Sequence, residues 1–114
     1  MFSVEYYNRT VIISSYNIRR LNFRYQVKLK KLLVQAMKQS CDKIVINLVG
    51  VRLIDRGALD MLKLMADITH SLGISLRIMN LDNELSHHIR ENALDIVACL
   101  ATEEETLELA ELIV

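Results

Sequence analysis

A nearly unbroken apolar run, a short turn and an amphipathic helix follow one another within residues 43–62. The apolar run consists of Ile44, Val45, Ile46, Leu48 and Val49. Such a run suits a β-strand that is covered on both faces, and it is too short for a core helix. Gly50 ends the run, and Asp55 then stands where a helix N-cap is expected. Its carboxylate can accept from the first unpaired amides and faces the positive end of the helix dipole.

The helix that follows Asp55 has an apolar and a polar side. Apolar side chains recur at three- and four-residue intervals at Ala58, Met61, Leu62, Met65, Ile68 and Leu72. Polar side chains form the other side at Asp60, Lys63, Asp67 and His70. This spacing predicts a helix with one packed face and one solvated face. Open parallel sheets place their ligand sites at the carboxyl ends of strands, so the junction at Asp55 is the expected position of a functional site.

The N-terminal third predicts a hairpin and a helix. Apolar and polar residues alternate from Phe2 to Tyr7, and a second apolar run follows the turn residues Asn8 and Arg9. A helix is expected from about Ile18 or Leu21 to Met37. A basic stripe lies opposite its apolar side and consists of Arg24, Lys28, Lys31, Gln35 and Lys38. A solvated face accounts for this stripe, and docking of a partner is the alternative.

The C-terminal third predicts a strand, a short helix, a last strand and a final helix. Residues 75–80 form the strand, and Asp82 caps a helix over residues 83–91 that ends at Asn92. The last short strand is expected around Ile96, Val97 and Leu100. Thr102 and Glu105 form a capping box, and the apolar face of the final helix is expected at Leu107, Ala110 and Ile113. The order is ββαβαβαα, or ββαβαβαβα with the last strand, which gives an α/β fold with a mixed sheet.

Composition is typical of one compact cytoplasmic domain over residues 1–114. Hydrophobic residues make up 52% and charged residues 25% of the 114 residues, which excludes a disordered chain. No apolar run approaches the ~18 residues that span a bilayer, and the N-terminus lacks the order of a secretory signal. Cys41 and Cys99 lie far apart in sequence, so we interpret both as ordinary buried thiols. His87 and His88 are adjacent and would point about 100° apart on a helix, so no metal site is expected.

Charge is divided unevenly between the two halves of the chain. The formal net charge is zero, yet 11 of the 14 Lys and Arg lie in residues 1–56 and 11 of the 14 Asp and Glu lie in residues 57–114. Such a chain can orient a partner and can favour head-to-tail contact with its own copies, so a homo-oligomer is one expectation. Nucleic-acid binding is not expected, because aromatic residues are scarce at 5% and no readout motif is present.

The central segment resembles the middle of the STAS domain, the module of bacterial anti-sigma factor antagonists and of the cytoplasmic tails of sulphate transporters. In that family an aliphatic strand leads to a motif Asp-Ser-Ser-Gly-Leu, an apolar helix, a Gly and a second aliphatic strand. The corresponding residues here are Ile54, Asp55, Arg56, Gly57, Ala58, Leu59 and Leu62, followed by Gly73 and the strand at 75–80. The likeness extends over nearly the whole chain in element order. It implies a mixed sheet with about four helices packed mainly on one face.

The motif differs from the family pattern at three positions, including the second Ser, where Gly57 stands. Arg56 occupies the position that is usually the phosphorylated Ser, and the motif Gly is Ala58. In the family, the added phosphate places roughly −1.5 to −2 charges at the helix start and switches binding to a partner kinase. Arginine offers no hydroxyl, and residues 41–68 contain no Ser, Thr or Tyr. We therefore predict that this loop is not a serine/threonine phospho-switch.

Arg56 itself has two interpretations. A cation at a helix N-terminus is unfavourable by about 0.3–1 kcal/mol when it is exposed. Arg56 is either a solvated side chain weakly paired with Asp60, or a contact to an acidic group on a partner. We predict a partner-binding surface, without catalytic or metal-binding residues and without a cofactor, at Asp55, Arg56, Gly57, Ala58, Leu59 and Asp60.

The resemblance implies a non-catalytic regulatory module of the anti-sigma factor antagonist type. Its partner would be an anti-sigma factor or serine-kinase-type ATPase, or a regulatory scaffold. One alternative is an accessory subunit of an ABC-type membrane transport complex, without insertion into the membrane. Another is a small-ligand-binding domain that uses the same strand ends. An enzyme is not expected, because no nucleophile and base grouping and no Gly-rich phosphate loop is evident in a chain with three Gly.

Overall fold

The fold is a mixed sheet with helices on both faces. The computed structural model describes the backbone of residues 1–113 and the side chains of residues 1–112. Along the chain the elements are β1 (Phe2–Tyr7), β2 (Thr10–Ser15), β3 (Arg20–Leu21), α1 (Phe23–Met37), β4 (Lys43–Asn47), β5 (Leu53–Ile54), α2 (Arg56–Ser71), β6 (Ser75–Met79), α3 (Asn83–Asn92), α4 (Leu94–Val97) and α5 (Glu103–Ile113).

The main sheet has the strand order β1-β2-β4-β6. β1 and β2 form the predicted antiparallel hairpin, and Asn8 at its turn has a φ of 58°, in the left-handed region that Asn tolerates. β4 pairs parallel with β2 on one side and with β6 on the other, with Ile44 opposite Val11 and Leu76. The helices α1 and α2 connect these parallel strands. The predicted mixed α/β sheet is therefore confirmed.

The main core lies on the sheet face that α1 to α4 cover. Buried side chains from these four helices and from alternate strand positions form one cluster, which includes Ile13, Leu33, Ile46, Leu62, Ile78, Ile89 and Ile96. The predicted face of α2 is confirmed at its first four positions. Leu72, however, is exposed, because the helix ends before it and Gly73 follows with a φ of 73°. The expectation that Leu72 packs is therefore wrong.

The predicted last strand is wrong in most of its length. Ile96 and Val97 lie in the short helix α4, and Ile96 is buried in the main core. Leu100 alone keeps a strand-like contact, because Ile78 donates to the carbonyl of Cys99 and accepts from the amide of Ala101, both at 2.8 Å. One isolated bridge to β6 therefore replaces a strand.

The helix α5 covers the opposite face of the sheet. Leu109 is buried there against Ile12, Val45 and Met79. The predicted apolar face of α5 is therefore wrong, since Leu107 and Ala110 are exposed, while the side chain of Ile113 lies outside the described residues. The predicted capping box is confirmed by bonds in both directions between Thr102 and Glu105.

An ion pair fixes the rotation of α5 against the sheet. Arg77 on β6 donates from Nε and Nη2 to the two carboxylate oxygens of Glu105, at 2.8 and 2.6 Å. Its Nη1 and Nη2 also donate to the carbonyls of Ala98 and Leu100, at 2.6 and 3.0 Å. These hydrogen bonds to Arg77 hold the pKa of Glu105 below its usual value. With Glu105 bound to β6, the side of α5 that bears Leu109 faces the sheet.

Candidate functional site

The start of α2 is held in place by a second, two-stranded sheet. β3 and β5 pair parallel, with Arg20 opposite Leu53 and Leu21 opposite Ile54. The amide of Asp55 donates to the carbonyl of Leu21 at 3.1 Å. The first helix also starts directly after β3, with Asn22 as its N-cap, so α1 begins later than Ile18 or Leu21. The helices α1 and α2 thus begin side by side, on the two strands of one small sheet.

Asp55 occupies the predicted N-cap position, but its carboxylate does not cap the helix. Its backbone is extended there, and no hydrogen bond joins its side chain to the first turn of α2. Its Oδ1 instead accepts from Nε of Arg20 at 2.7 Å. A hydrogen bond with charge on both partners is stronger than one to a neutral amide, and β3 brings the guanidinium within reach. The expectation of a side-chain cap at Asp55 is therefore wrong.

Arg56 projects into solvent at the first position of α2. Its side chain is 84% exposed, and its Nε lies 3.4 Å from Oδ1 of Asp60. Asp60 is shared with Lys63, whose Nζ is 3.9 Å away. An exposed pair at this distance contributes little to stability. The weak pairing with Asp60 that the sequence suggested is therefore present, and it leaves the guanidinium accessible to a partner.

The other predicted site residues divide into accessible and buried ones. Gly57 is exposed, and a Cβ added to it would lie 3.4 Å from Oε1 of Gln26 on α1. Ala58 and Leu59, in contrast, have their side chains in the main core. Direct contact of a docked partner with those two side chains would require them to leave the core. Of the predicted surface residues, Asp55, Arg56, Gly57 and Asp60 are therefore the accessible ones.

The fold brings cations and an exposed leucine to this site that the sequence pattern did not indicate. Leu53 is 57% exposed on β5, opposite Arg20. The backbones of Arg19 and Arg52 also lie next to each other, since the amide of Arg52 donates to the carbonyl of Arg19 at 2.7 Å, and both residues are exposed. We call this set of Arg19, Arg20, Arg52, Leu53 and Arg56 the arginine surface. Its two halves are more than thirty residues apart in sequence, so only the pairing of β3 with β5 reveals it.

A polar network closes the carboxyl ends of the parallel strands. Asn47 is buried at the end of β4, where its Oδ1 accepts from Nδ2 of Asn80 at 2.9 Å. Its Nδ2 donates to Oγ of Ser14 at 3.3 Å, and its carbonyl accepts from Oγ of Ser15. A cleft of about 420 Å³ opens beside it, lined partly by Gly50 and Asn80. The buried amide of Asn47 is therefore engaged in the fold, and the network ties three neighbouring strands together.

The remaining reactive groups are dispersed. Cys41 and Cys99 are both free, and burial raises the pKa of each thiol, which disfavours the reactive thiolate. Within residues 1–113, no three His, Cys, Asp or Glu side chains come together in a metal-binding arrangement. Across the same residues, every helix falls short of the length and apolar character that crossing a membrane requires.

Comparison with known proteins gives matches in structure but not in sequence. Neither a protein-family model nor a curated protein sequence matches the chain. The anti-sigma factor antagonist SpoIIAA in its unphosphorylated form superposes with a TM-score of 0.74 at 18% identity, covering 100% of this chain and 99% of SpoIIAA. The chain has the STAS fold. A sulfate transporter family protein from Wolinella succinogenes shares this STAS fold, with a TM-score of 0.71 at 15% identity and coverage of 92% and 87%.

The phosphorylated form of the Bacillus cell fate determinant SpoIIAA is also similar. It has a TM-score of 0.66 at 17% identity, covering 96% of this chain and 99% of that one. The likeness to three STAS structures confirms the fold that the residues around Asp55 suggested. At these identities it is a likeness of fold alone. The correspondence of Arg56 to the phosphorylated Ser stays a prediction from the motif.

Proposed function

We propose that this protein is a non-catalytic regulatory module that binds a protein partner through the start of α2. The observation that carries the proposal is the accessible guanidinium of Arg56 within the arginine surface. Exposed arginines are typical of binding surfaces, since Arg is enriched at hot spots. Such a surface fits an acidic patch on the partner.

The partner we propose is an anti-sigma factor or a serine-kinase-type ATPase, or a regulatory scaffold, in the cytoplasm. The fold shared with SpoIIAA, which is named an anti-sigma factor antagonist, supports this class. Residues 41–68 offer no hydroxyl for phosphorylation, so binding would be constitutive or controlled through the partner. Phosphopeptide mapping of the protein from its native cell tests this point. A phosphate found between residues 50 and 62 would contradict it.

Two substitutions at Arg56 test the docking surface. Arg56→Ser removes the charge and restores a hydroxyl, while Arg56→Glu reverses the charge. We expect affinity for the co-purified partner to fall by about tenfold for the first and further for the second, since a hot-spot arginine contributes ~1–2 kcal/mol. Arg90→Glu, an equivalent reversal on the exposed side of α3, is the control and should bind normally. Unchanged affinity of both Arg56 variants, measured by calorimetry, would refute the proposal.

The second candidate function is an accessory role in an ABC-type membrane transport complex. The fold shared with a sulfate transporter family protein favours it. Affinity purification from the native cell separates the two: a histidine-kinase-like ATPase or a sigma regulator supports the first, and a transport ATPase supports the second. The third candidate, binding of a small ligand at the cleft beside Asn80, predicts a protein that purifies alone and gains thermal stability with a metabolite.

A further inference from the structure

The outer side of α1 carries an open groove that is both apolar and basic. Its volume is about 580 Å³, and its lining consists of Phe23, Gln26, Val27, Lys30, Lys31, Val34 and Gln35. Phe23 is 74% exposed. The aromatic ring, two valines and the lysine stems provide apolar contact area, while the two ammonium groups flank it. An occupant that matches this groove presents an apolar side chain flanked by carboxylates.

The outer side of α5 has the complementary character. Leu107 is 69% exposed and points away from Leu109, the residue that packs on the sheet. Residues three and four positions away on a helix lie next to each other, so Glu103, Glu104 and Glu111 surround Leu107. All three glutamates are exposed. One leucine flanked by carboxylates therefore projects from this helix, opposite in charge to the groove on α1.

The two surfaces cannot meet within one molecule. α1 packs on the sheet face of the main core, and α5 packs on the other face. We infer that they meet between copies: the acidic outer side of α5 of one molecule docks into the basic groove on α1 of a second copy. Leu107 fills the apolar centre of the groove, and the glutamates face Lys30 and Lys31. The overall neutrality of a chain with a basic first half and an acidic second half fits such contact between identical molecules.

The symmetry of this contact determines what it can build. It joins two different patches, so each added molecule leaves a free groove at one end and a free α5 at the other. Association is therefore head-to-tail, and it gives open chains or closed rings instead of a two-fold dimer. Attraction between exposed charges is screened by salt, so assembly should weaken as ionic strength rises.

Complementary charge reversals test the inference directly. In one variant Lys30→Glu and Lys31→Glu disable the groove, and in another Glu104→Lys and Glu111→Lys disable α5. We expect each variant alone to associate at least about tenfold more weakly than the wild type in sedimentation velocity. Mixed in equal amounts, they should associate again, because the acidic α5 of the first variant meets the basic groove of the second, and the two reversed surfaces are also opposite in charge. A contact that does not join α1 to α5 cannot give this recovery on mixing.

Two further variants keep the test decisive. Lys28→Glu reverses an exposed charge on α1 outside the groove and should associate like the wild type. Leu107→Ser leaves every charge in place and should also weaken assembly. It tests the α5 surface if the variant with Glu104→Lys and Glu111→Lys does not fold. A wild-type chain that stays monomeric to about 1 mM in low salt would overturn the inference, as would a failure of the mixed variants to pair.

Discussion

The contact between Arg77 and Glu105 should contribute substantially to the free energy of unfolding. Replacing Arg77 by Met keeps the aliphatic stem but removes four hydrogen bonds, two to Glu105 and two to backbone carbonyls. Hydrogen bonds to charged groups contribute about 1.5–3 kcal/mol each when protected from water. The two side chains are 18% and 30% exposed, so solvent screening reduces that sum. We expect Arg77→Met to lower the free energy of unfolding by about 2–4 kcal/mol.

Urea denaturation followed by circular dichroism measures this loss. With an m-value of about 2 kcal/mol/M, in the middle of the range for small proteins, the midpoint should fall by about 1–2 M. The control is Arg24→Met, because Arg24 is exposed on α1, and its midpoint should stay close to that of the wild type. A midpoint for Arg77→Met that matches the control would refute the role assigned to Arg77.

The same contact predicts a dependence on pH. Hydrogen bonds to Arg77 lower the pKa of Glu105 in the folded state relative to about 4.3 in the unfolded chain. The unfolded state therefore binds the proton more readily, so this stabilisation is complete above pH ~4.3 and is lost as the pH falls through the folded pKa. Glu105→Gln should cost about 1 kcal/mol at pH 7, and its difference from the wild type should narrow in acid. A difference that stays constant down to pH 3 would contradict this linkage.

Further substitutions test other parts of the structure. Leu109→Ala should cost about 2–4 kcal/mol because it opens a cavity on the second sheet face. Leu107→Ala should change stability by less than about 0.5 kcal/mol, because Leu107 is exposed. Equal losses would contradict the orientation of α5. Asp55→Ala should cost less than about 1 kcal/mol, since the carboxylate pairs with an exposed cation and does not cap α2; a loss near 2 kcal/mol would mean that it caps the helix in solution. Gly73→Ala should cost about 1 kcal/mol through its positive φ alone, because open space surrounds the position. A larger loss of stability in thermal melts would mean that the added methyl group also clashes. The Cys41 thiol should react with a disulfide reagent only after unfolding, and rapid labelling of the native protein would contradict its burial.

Local sequence pattern was sufficient for the central part of the fold. Alternation and apolar runs depend on near neighbours, so the hairpin, β4 and the core-facing positions of α2 were predictable. The pairing of β3 with β5 was not, because two-residue strands carry no periodicity. α5 has leucines at 107, 109 and 112, which do not define one face, and contact between Arg77 and Glu105 on different elements determines which side packs.

The start of α2 was predictable in position, but the exposed residues that the fold brings next to it were not. The motif resemblance located the start of α2, and an arginine there was expected to be accessible. Periodicity had already placed Ala58 on the packed face of the helix, so its burial follows from the same pattern that predicted the helix. Arg19, Arg20 and Arg52 could not be assigned to the surface, since their proximity depends on strand pairing between segments that are distant in sequence.

The small sheet of β3 and β5 also affects the free energy that ordering this surface would consume when a partner binds. It cross-links two loops that would otherwise have to be immobilised on association, and the bond from Asp55 to Leu21 attaches the helix start to the same platform. Ordering a loop during complex formation consumes free energy, and a platform that is already rigid avoids most of that loss. Differences in affinity among surface variants should therefore arise mainly in how long each complex survives, with encounter rates changing less.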